Sequence, residues 1–194
     1  MNDLENRLHQ FGSLDLAGPS YGRQPVLPDA DVSYALHETP IGTMLLATAA
    51  GRVVASSFGD EETMTIRLAR AISPRVLRQP APLDDVRRQL DEYLAGRRHT
   101  FDLEVDLSLA SPFQRLVLSN LPAHTHYGST TTYGDLASEL HRPKAARAIG
   151  AALGGNPVCV VLPCHRVVGA SGALTGYAGG IEAKRFLLNL ESTS

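Results

Sequence analysis

The run VCVVLPCHRVVG carries two cysteines, Cys159 and Cys164, and the second is followed at once by His165 and Arg166. A thiol with an ordinary pKa of about 8.5 attacks only as its thiolate, and an imidazole within hydrogen-bond reach can take the proton directly or through a water. Adjacency in sequence does not ensure that contact, so the turn at Pro163 must direct Cys164 and His165 inward together. A third group should orient the imidazole, and this half of the chain offers Asp135, Glu139, Glu182 and Glu191. Only Glu191 ends an apolar helical stretch, IEAKRFLLNLE, able to pack against the run.

Two other uses of the thiols compete with this one. Cys159, Cys164 and His165 are three potential metal ligands, but the five-residue separation of the cysteines exceeds the spacing usual for zinc, and no metal is expected. An isolated cysteine also serves as plain apolar filler. The segment GGNPVCVVLPC reads as a glycine pair, an Asn-Pro turn, a buried strand and a bend at Pro163; alternation would set Cys159 well back inside the strand, inert.

The elements upstream must hold that bend. Ser111 and Pro112 make a cap and first helical position for SPFQRLVLSNL, a helix expected to end near Pro122. TTYGDLASEL and PKAARAIGAAL follow as two short helices separated by His141 and Arg142, with Thr131 or Thr132 capping the first and Pro143 opening the second. Leu136, Leu140, Ile149 and Leu153 supply their shared face, which is helix-turn-helix spacing. The second helix is nearly without bulk, carrying Ala145, Ala146, Ala148, Gly150, Ala151 and Ala152, with Arg147 its one long polar side chain in the middle. Such a helix suits close packing in a core, or entry into a DNA groove.

Before residue 110 the pattern differs. SYALHE, PIGTMLLAT and GRVVASSF, with Gly42 and Gly51 as turn residues, predict an antiparallel meander. EETMTIRLARAI and PLDDVRRQLDEYLAG predict two amphipathic helices, the second through Leu83, Val86, Leu90 and Leu94. FDLEVDLSL is a short strand or an extended linker. The boundaries that follow are an irregular N-terminal arm over 1–32, an α/β domain over 33–108 and a C-terminal domain over 109–194.

The 194 residues carry a formal net charge of -2, which argues against a chain wholly devoted to coating a polyanion. The charge is uneven: residues 1–110 hold 11 Lys or Arg against 16 Asp or Glu, and residues 111–194 hold 7 against 4. Any phosphate-contacting face therefore belongs to the second part. No stretch approaches the roughly 20 apolar residues of a membrane span, and the N-terminus lacks the apolar core of a signal peptide. A cytoplasmic location is expected, nuclear in a eukaryote, with reduced thiols.

At this point the residues are similar to a known family. GGNPVCVVLPCHRVVGASGALTGYAGGIEAKRFLLNLE closely resembles the active-site segment of the O6-alkylguanine-DNA alkyltransferases, also called methylated-DNA–protein-cysteine methyltransferases. The PCHRV core and the NPV, GY and GG elements stand at the family's distances, and the likeness runs back through SPFQRLVLSNL, TTYGDLASEL and RPKAARAIG. The resemblance implies an α+β chain, with a small ribonuclease H-like sheet-and-helix domain followed by a mainly helical domain bearing a winged-helix-like helix-turn-helix. Its implied partner is duplex DNA containing alkylated bases, approached through the minor groove. Neither a membrane nor an obligate protein partner is implied. The implied reaction transfers the alkyl group of O6-alkylguanine, and less well of O4-alkylthymine, irreversibly to Cys164 without a cofactor.

The same resemblance assigns roles. It makes His165 a water-mediated base, Glu191 the carboxylate that orients it and Asn156 the brace of the turn. Arg147 is implied as a finger that fills the space of the extruded base, and Tyr133 as the residue that crowds the target phosphate and donates toward the guanine ring. Thr132, Ala145, Ala146, Gly150 and Arg166 are further implied DNA contacts. Tyr177, Ala178 and Val167 are implied in the base pocket, with Lys184 supporting the active-site loop. Leu118 stands where many members have tryptophan, Ala178 where some have serine, and no cysteine before Cys159 is present for the zinc site that some relatives hold. Two other readings remain at this stage: a non-catalytic DNA-lesion-binding or regulatory helix-turn-helix protein, and a structural thiol in a soluble protein.

Overall fold

The computed structural model describes residues 30–192, so nearly all of the arm expected over 1–32 lies outside the described residues. Strands β1 (Val32–His37), β2 (Met44–Ala49) and β3 (Arg52–Ser57) form the expected meander, β1 pairing with β2 from Val32–Ala49 to His37–Met44. The β2–β3 turn places Ala50 at φ 49 and Gly51 at φ 77, the two left-handed positions of a tight hairpin. Helix α1 (Glu61–Ala71) starts at Asp60, whose carboxylate accepts from Thr63 N at 2.8 Å. A fourth strand, β4 (Val76–Arg78), then joins β1 in parallel, giving the order β3-β2-β1-β4. Strand β4, three residues long, is too short to show a period in the sequence.

Helix α2 (Asp84–Leu94) lays Val86, Leu90, Tyr93 and Leu94 against the sheet. The following FDLEVDLSL segment is an extended connection that touches β3 only around Val105, through Val53 N to Glu104 O at 2.8 Å and Asp106 N to Val53 O at 2.9 Å. Helix α3 (Pro112–His124) begins with a capping box between Ser111 and Gln114. It ends at His124, near Pro122 as expected, with Pro122 inside its last turn. A proline in the last turn removes only one intrahelical donor, and Thr125 Oγ1 closes the end on Leu121 O at 2.6 Å.

Thr132 caps α4 (Tyr133–Glu139), accepting from Asp135 N at 3.0 Å. Helix α5 (Ala146–Gly154) opens three residues later than Pro143, which lies in the turn; His141 there has φ 54, and Ala145 N closes on Arg142 O at 2.8 Å. The residue before a proline resists the helical region, so the turn is longer than the pattern indicated. Leu136, Ile149 and Leu153 are buried between the two helices, as their spacing predicts. Short parallel strands β5 (Thr131–Thr132) and β6 (Val167–Val168) tie this helix pair to the segment after Cys164, and α6 (Gly180–Ser192) closes the chain.

The run VCVVL is not the strand expected. Val158 and Cys159 pair with the edge of β3, Ser56 N donating to Pro157 O at 2.8 Å and Cys159 N to Ser56 O at 2.7 Å. The chain then turns through Val160 at φ 71, and Leu162 N returns to Val158 O at 3.0 Å. An apolar run records burial on all sides, and a buried turn satisfies it as well as a strand does. One hydrophobic cluster accordingly runs through both parts, from Leu46 and Leu90 through Leu118 and Leu136 to Cys159, Val167 and Leu187.

Candidate active site

Cys164 opens a single 3-10 turn, Cys164–Arg166, set by Pro163 and by Cys164 N donating to Leu162 O at 2.8 Å. Asn156 organises the approach to it. Its Nδ2 donates to Leu162 O and to Cys164 Sγ, both at 3.1 Å, while its Oδ1 accepts from Val158 N at 2.9 Å. Because VCVVL doubles back, Cys159 faces Cys164 across the turn. The Cys159 thiol, whose own hydrogen bond goes to Asn156 O at 3.4 Å, is the main influence lowering the Cys164 pKa; burial opposes it, and the Asn156 amide and the Lys184 charge act with it. The Cys164 sulfur, with desolvation, raises the Cys159 pKa well above its ordinary value. One thiol is kept protonated so that the other is favoured as a thiolate.

Glu191 is the hub of a second set. It is 2 % exposed, and its Oε1 accepts from His165 Nε2 at 2.5 Å and from the Tyr93 hydroxyl, while Oε2 accepts from Arg166 Nε at 2.8 Å and Gly128 N at 3.4 Å. Burial works against its ionisation, yet the His165, Arg166 and Tyr93 bonds hold its pKa at about 2. Gly128, at φ 75, has no room for a side chain: a Cβ would lie 3.1 Å from Glu191 O.

His165 is fully buried, and desolvation, opposed by Glu191, pulls its pKa below the ordinary value, so the ring is neutral at pH 7. With Nε2 donating to a carboxylate, the lone pair of the neutral ring is on Nδ1. Nδ1 has no hydrogen-bond partner among the described residues. An imidazole with its basic nitrogen free and its other nitrogen clamped is arranged to receive a proton.

Around this centre the helix pair and the loop before α6 form an open cleft of about 600 Å³, lined by Tyr133, Ala146, Arg147, Gly150, Tyr177 and Ala178 among others. Arg147 is exposed on its α5 wall. Gly150 of α5 faces the Tyr133 ring, where a Cβ would make an ordinary contact at 3.6 Å. Tyr133 OH bonds Thr175 Oγ1 at 2.8 Å, joining the first helix to the loop. Cys164, 5 % exposed, is not among the lining residues of the cleft; Tyr177, which is, has its ring edge-on to His165 with centroids 6.3 Å apart.

Several residues expected at this site sit elsewhere. Arg166, expected on DNA, is 7 % exposed; Glu191, Thr125 O at 2.8 Å and Tyr93 OH at 3.3 Å occupy its guanidinium, so it is the counter-charge of the buried carboxylate. Ala145 lies in a separate groove beside Phe113 and Lys144, and Thr132 is a helix cap. Val167 is wholly buried in β6, and its carbonyl accepts from Lys184 Nζ at 2.7 Å. Lys184 also reaches Thr175 O at 3.4 Å, tying both sides of the active-site loop to α6.

The family model for the 6-O-methylguanine DNA methyltransferase ribonuclease-like domain matches residues 32–107, and that for the DNA binding domain of the same proteins matches residues 112–193. The chain belongs to this family. A methylated-DNA–protein-cysteine methyltransferase of Methanosarcina acetivorans is 37% identical over 82% of this chain and 98% of its own. The crystal structure of Mycobacterium tuberculosis O6-methylguanine methyltransferase is 38% identical with a TM-score of 0.72, covering 84% of this chain and 93% of that one. The mycobacterial protein in complex with DNA has a TM-score of 0.71 at 36% identity, over 83% and 93% of the two chains.

One member of this methyltransferase's site has no motif in the sequence, and another lies closer to the acceptor than its spacing suggests. Tyr93 comes from α2, beyond any motif around Cys164; its only signal is a tyrosine on the helical face of Val86 and Leu90. Cys159 was seen but placed too far from Cys164. Among the described residues no group of three or more His, Cys, Asp or Glu is placed to hold a metal, and no helix is long and apolar enough to cross a membrane.

Proposed function

We propose that this methyltransferase reverses O6-alkylation of guanine in duplex DNA by taking the alkyl group onto Cys164. The observation that carries the assignment is the sulfur itself: Cys164 alone has an arrangement that lowers its pKa, beside a neutral histidine with a free nitrogen. The Cys164 thiol proton passes to His165, through a water. The thiolate then forms an S–C bond in line with the breaking C–O bond, and the electron pair stays with the guanine. O6 alkylation had removed the N1 proton, so the departing base must be protonated, with Tyr133 as donor at N3. The product is a thioether that the chain has no cofactor to cleave, so each molecule acts once.

The DNA side rests on the helix pair. A few kcal/mol are needed to unstack a base, fewer where pairing is already damaged. The small residues of α5 support approach from the minor groove, with Arg147 occupying the vacated stack and Tyr177 and Ala178 receiving the base. A cytoplasmic location follows from the same reading. Incubation with duplex DNA containing O6-methylguanine should add the mass of one methylene, on Cys164 alone and at one equivalent per molecule. Turnover beyond one equivalent, or no mass gain in a protein that binds the lesion, would overturn it; the second result belongs to a non-catalytic lesion binder.

A further inference from the structure

The end of β3 grips the active site at two points. Ser56 pins the acceptor segment: besides its backbone pairing, Ser56 Oγ donates to Cys159 O at 3.0 Å. Two residues on, Phe58 leaves the strand and meets the loop before α6. Its ring stands edge-on to Tyr177 with centroids 5.7 Å apart at 65°. Its tip also lies on Gly179, so closely that a Cβ there would be 2.8 Å from Phe58 Cζ.

Tyr177 depends on such packing. Its hydroxyl is buried with no hydrogen-bond partner among the described residues, so ring contacts hold it, Phe58 at one edge and His165 at another. Ala178, next along, is exposed in the cleft. Lys184 and Tyr133 anchor the loop at Thr175, and Gly180 N closes its end on Tyr177 O at 2.9 Å. Between those anchors the wall is set by Phe58.

We propose that Phe58 is a positioning residue for the base pocket: the sheet-and-helix part uses it to hold Tyr177, Ala178 and Gly179 in the shape that receives the alkylated guanine. The inference rests on the reading of Tyr177 and Ala178 as the wall of that pocket. It makes the N-terminal part a determinant of base affinity while leaving the thiolate to Asn156, Cys159 and Lys184. Gly179 is then glycine for the ring's sake, because its backbone lies outside the left-handed region and would admit alanine.

The test uses the full chain and free O6-benzylguanine, which needs no DNA, and separates half-saturating concentration from maximal alkylation rate. Phe58→Ala should raise the half-saturating concentration roughly three- to tenfold with little change in maximal rate, and Phe58→Leu should fall between it and the parent. Gly179→Ala should raise the same quantity by displacing the ring, and in a Phe58→Ala background should add nothing further. Cys164 reactivity toward a small disulfide should match the parent in each variant. The proposal is overturned if Phe58→Ala or Gly179→Ala leaves the half-saturating concentration unchanged, if the two effects simply add, or if only the maximal rate falls. Tyr177→Ala separates the two claims: a raised half-saturating concentration with Phe58→Ala silent removes the brace and keeps the pocket, whereas no effect of Tyr177→Ala removes both. Should Phe58→Ala not fold, Gly179→Ala and Phe58→Leu press on the same contact and decide the matter.

Discussion

Glu191 and His165 meet at 2.5 Å with both side chains buried, and that contact fixes the free nitrogen of the imidazole as Nδ1. A neutral carboxamide at residue 191 would lose the charge that pairs with Arg166 and could no longer impose the tautomer.

Glu191→Gln should therefore cost about 3 kcal/mol of stability, because Arg166 is left as an uncompensated buried cation. The parent supplies a pH signature. The folded pKa of Glu191 is about 2, below the ordinary 4.5, so its contribution is complete above the unfolded value and is lost as pH falls toward about 2. Urea unfolding between those limits should show stability falling more steeply in the parent than in Glu191→Gln, where the other lowered carboxylates, Asp31 among them, still contribute. An equal slope in both proteins would remove Glu191 from the account.

Tyr93→Phe tests the partner from α2. Burial, then the Glu191 charge, pushes the Tyr93 pKa upward, so the hydroxyl stays protonated and donates to the carboxylate. Its loss should cost about 1.5–3 kcal/mol, as for a hydrogen bond to a charged group, with alkylation rate in the folded protein nearly preserved. A large rate loss without a stability change would instead place Tyr93 in proton transfer.

The helix pair and its buried face were legible in the sequence because Thr132, Leu136, Ile149 and Leu153 obey capping and period rules that act locally. The two-residue ladder between β5 and β6 left no such trace. Arg166 shows a different limit: a motif gives residue types at a bend but not their directions, and direction decided whether this cation faced DNA or Glu191. Cys159 was misplaced for the related reason that a run buried on all sides reads alike as strand or turn. Tyr93 and Phe58 reach the site through tertiary contacts from the N-terminal part, where the local pattern specifies only a helix and a strand end.

Arg147→Ala should separate DNA handling from bond breaking. The side chain is exposed on the cleft wall contributed by α5, while Cys164, His165 and Asn156 are buried and do not line the cleft. Repair of duplex O6-methylguanine should fall, and reaction with free O6-benzylguanine should fall much less, since no base need leave a stack. Equal losses on both substrates would assign Arg147 to pocket support.

Cys159→Ala is the sharpest test of the thiol pair. Cys159 is fully buried, its own pKa is raised, and its proximity lowers that of Cys164, so it should support the acceptor without receiving the alkyl group. Alanine keeps the site apolar and avoids the buried hydroxyl that serine would add. Without that neighbour the Cys164 pKa should rise, and each unit of rise reduces the thiolate fraction at neutral pH about tenfold. The variant should accordingly be slow at pH 7, regain rate as the pH is raised, and still stop at one alkyl group per molecule. Rate measured against pH with O6-benzylguanine, together with peptide mapping of the product, checks both halves. A parent-like pH profile would remove Cys159 from the mechanism, and alkyl mass on Cys159 in the parent would show that the pair shares the acceptor role.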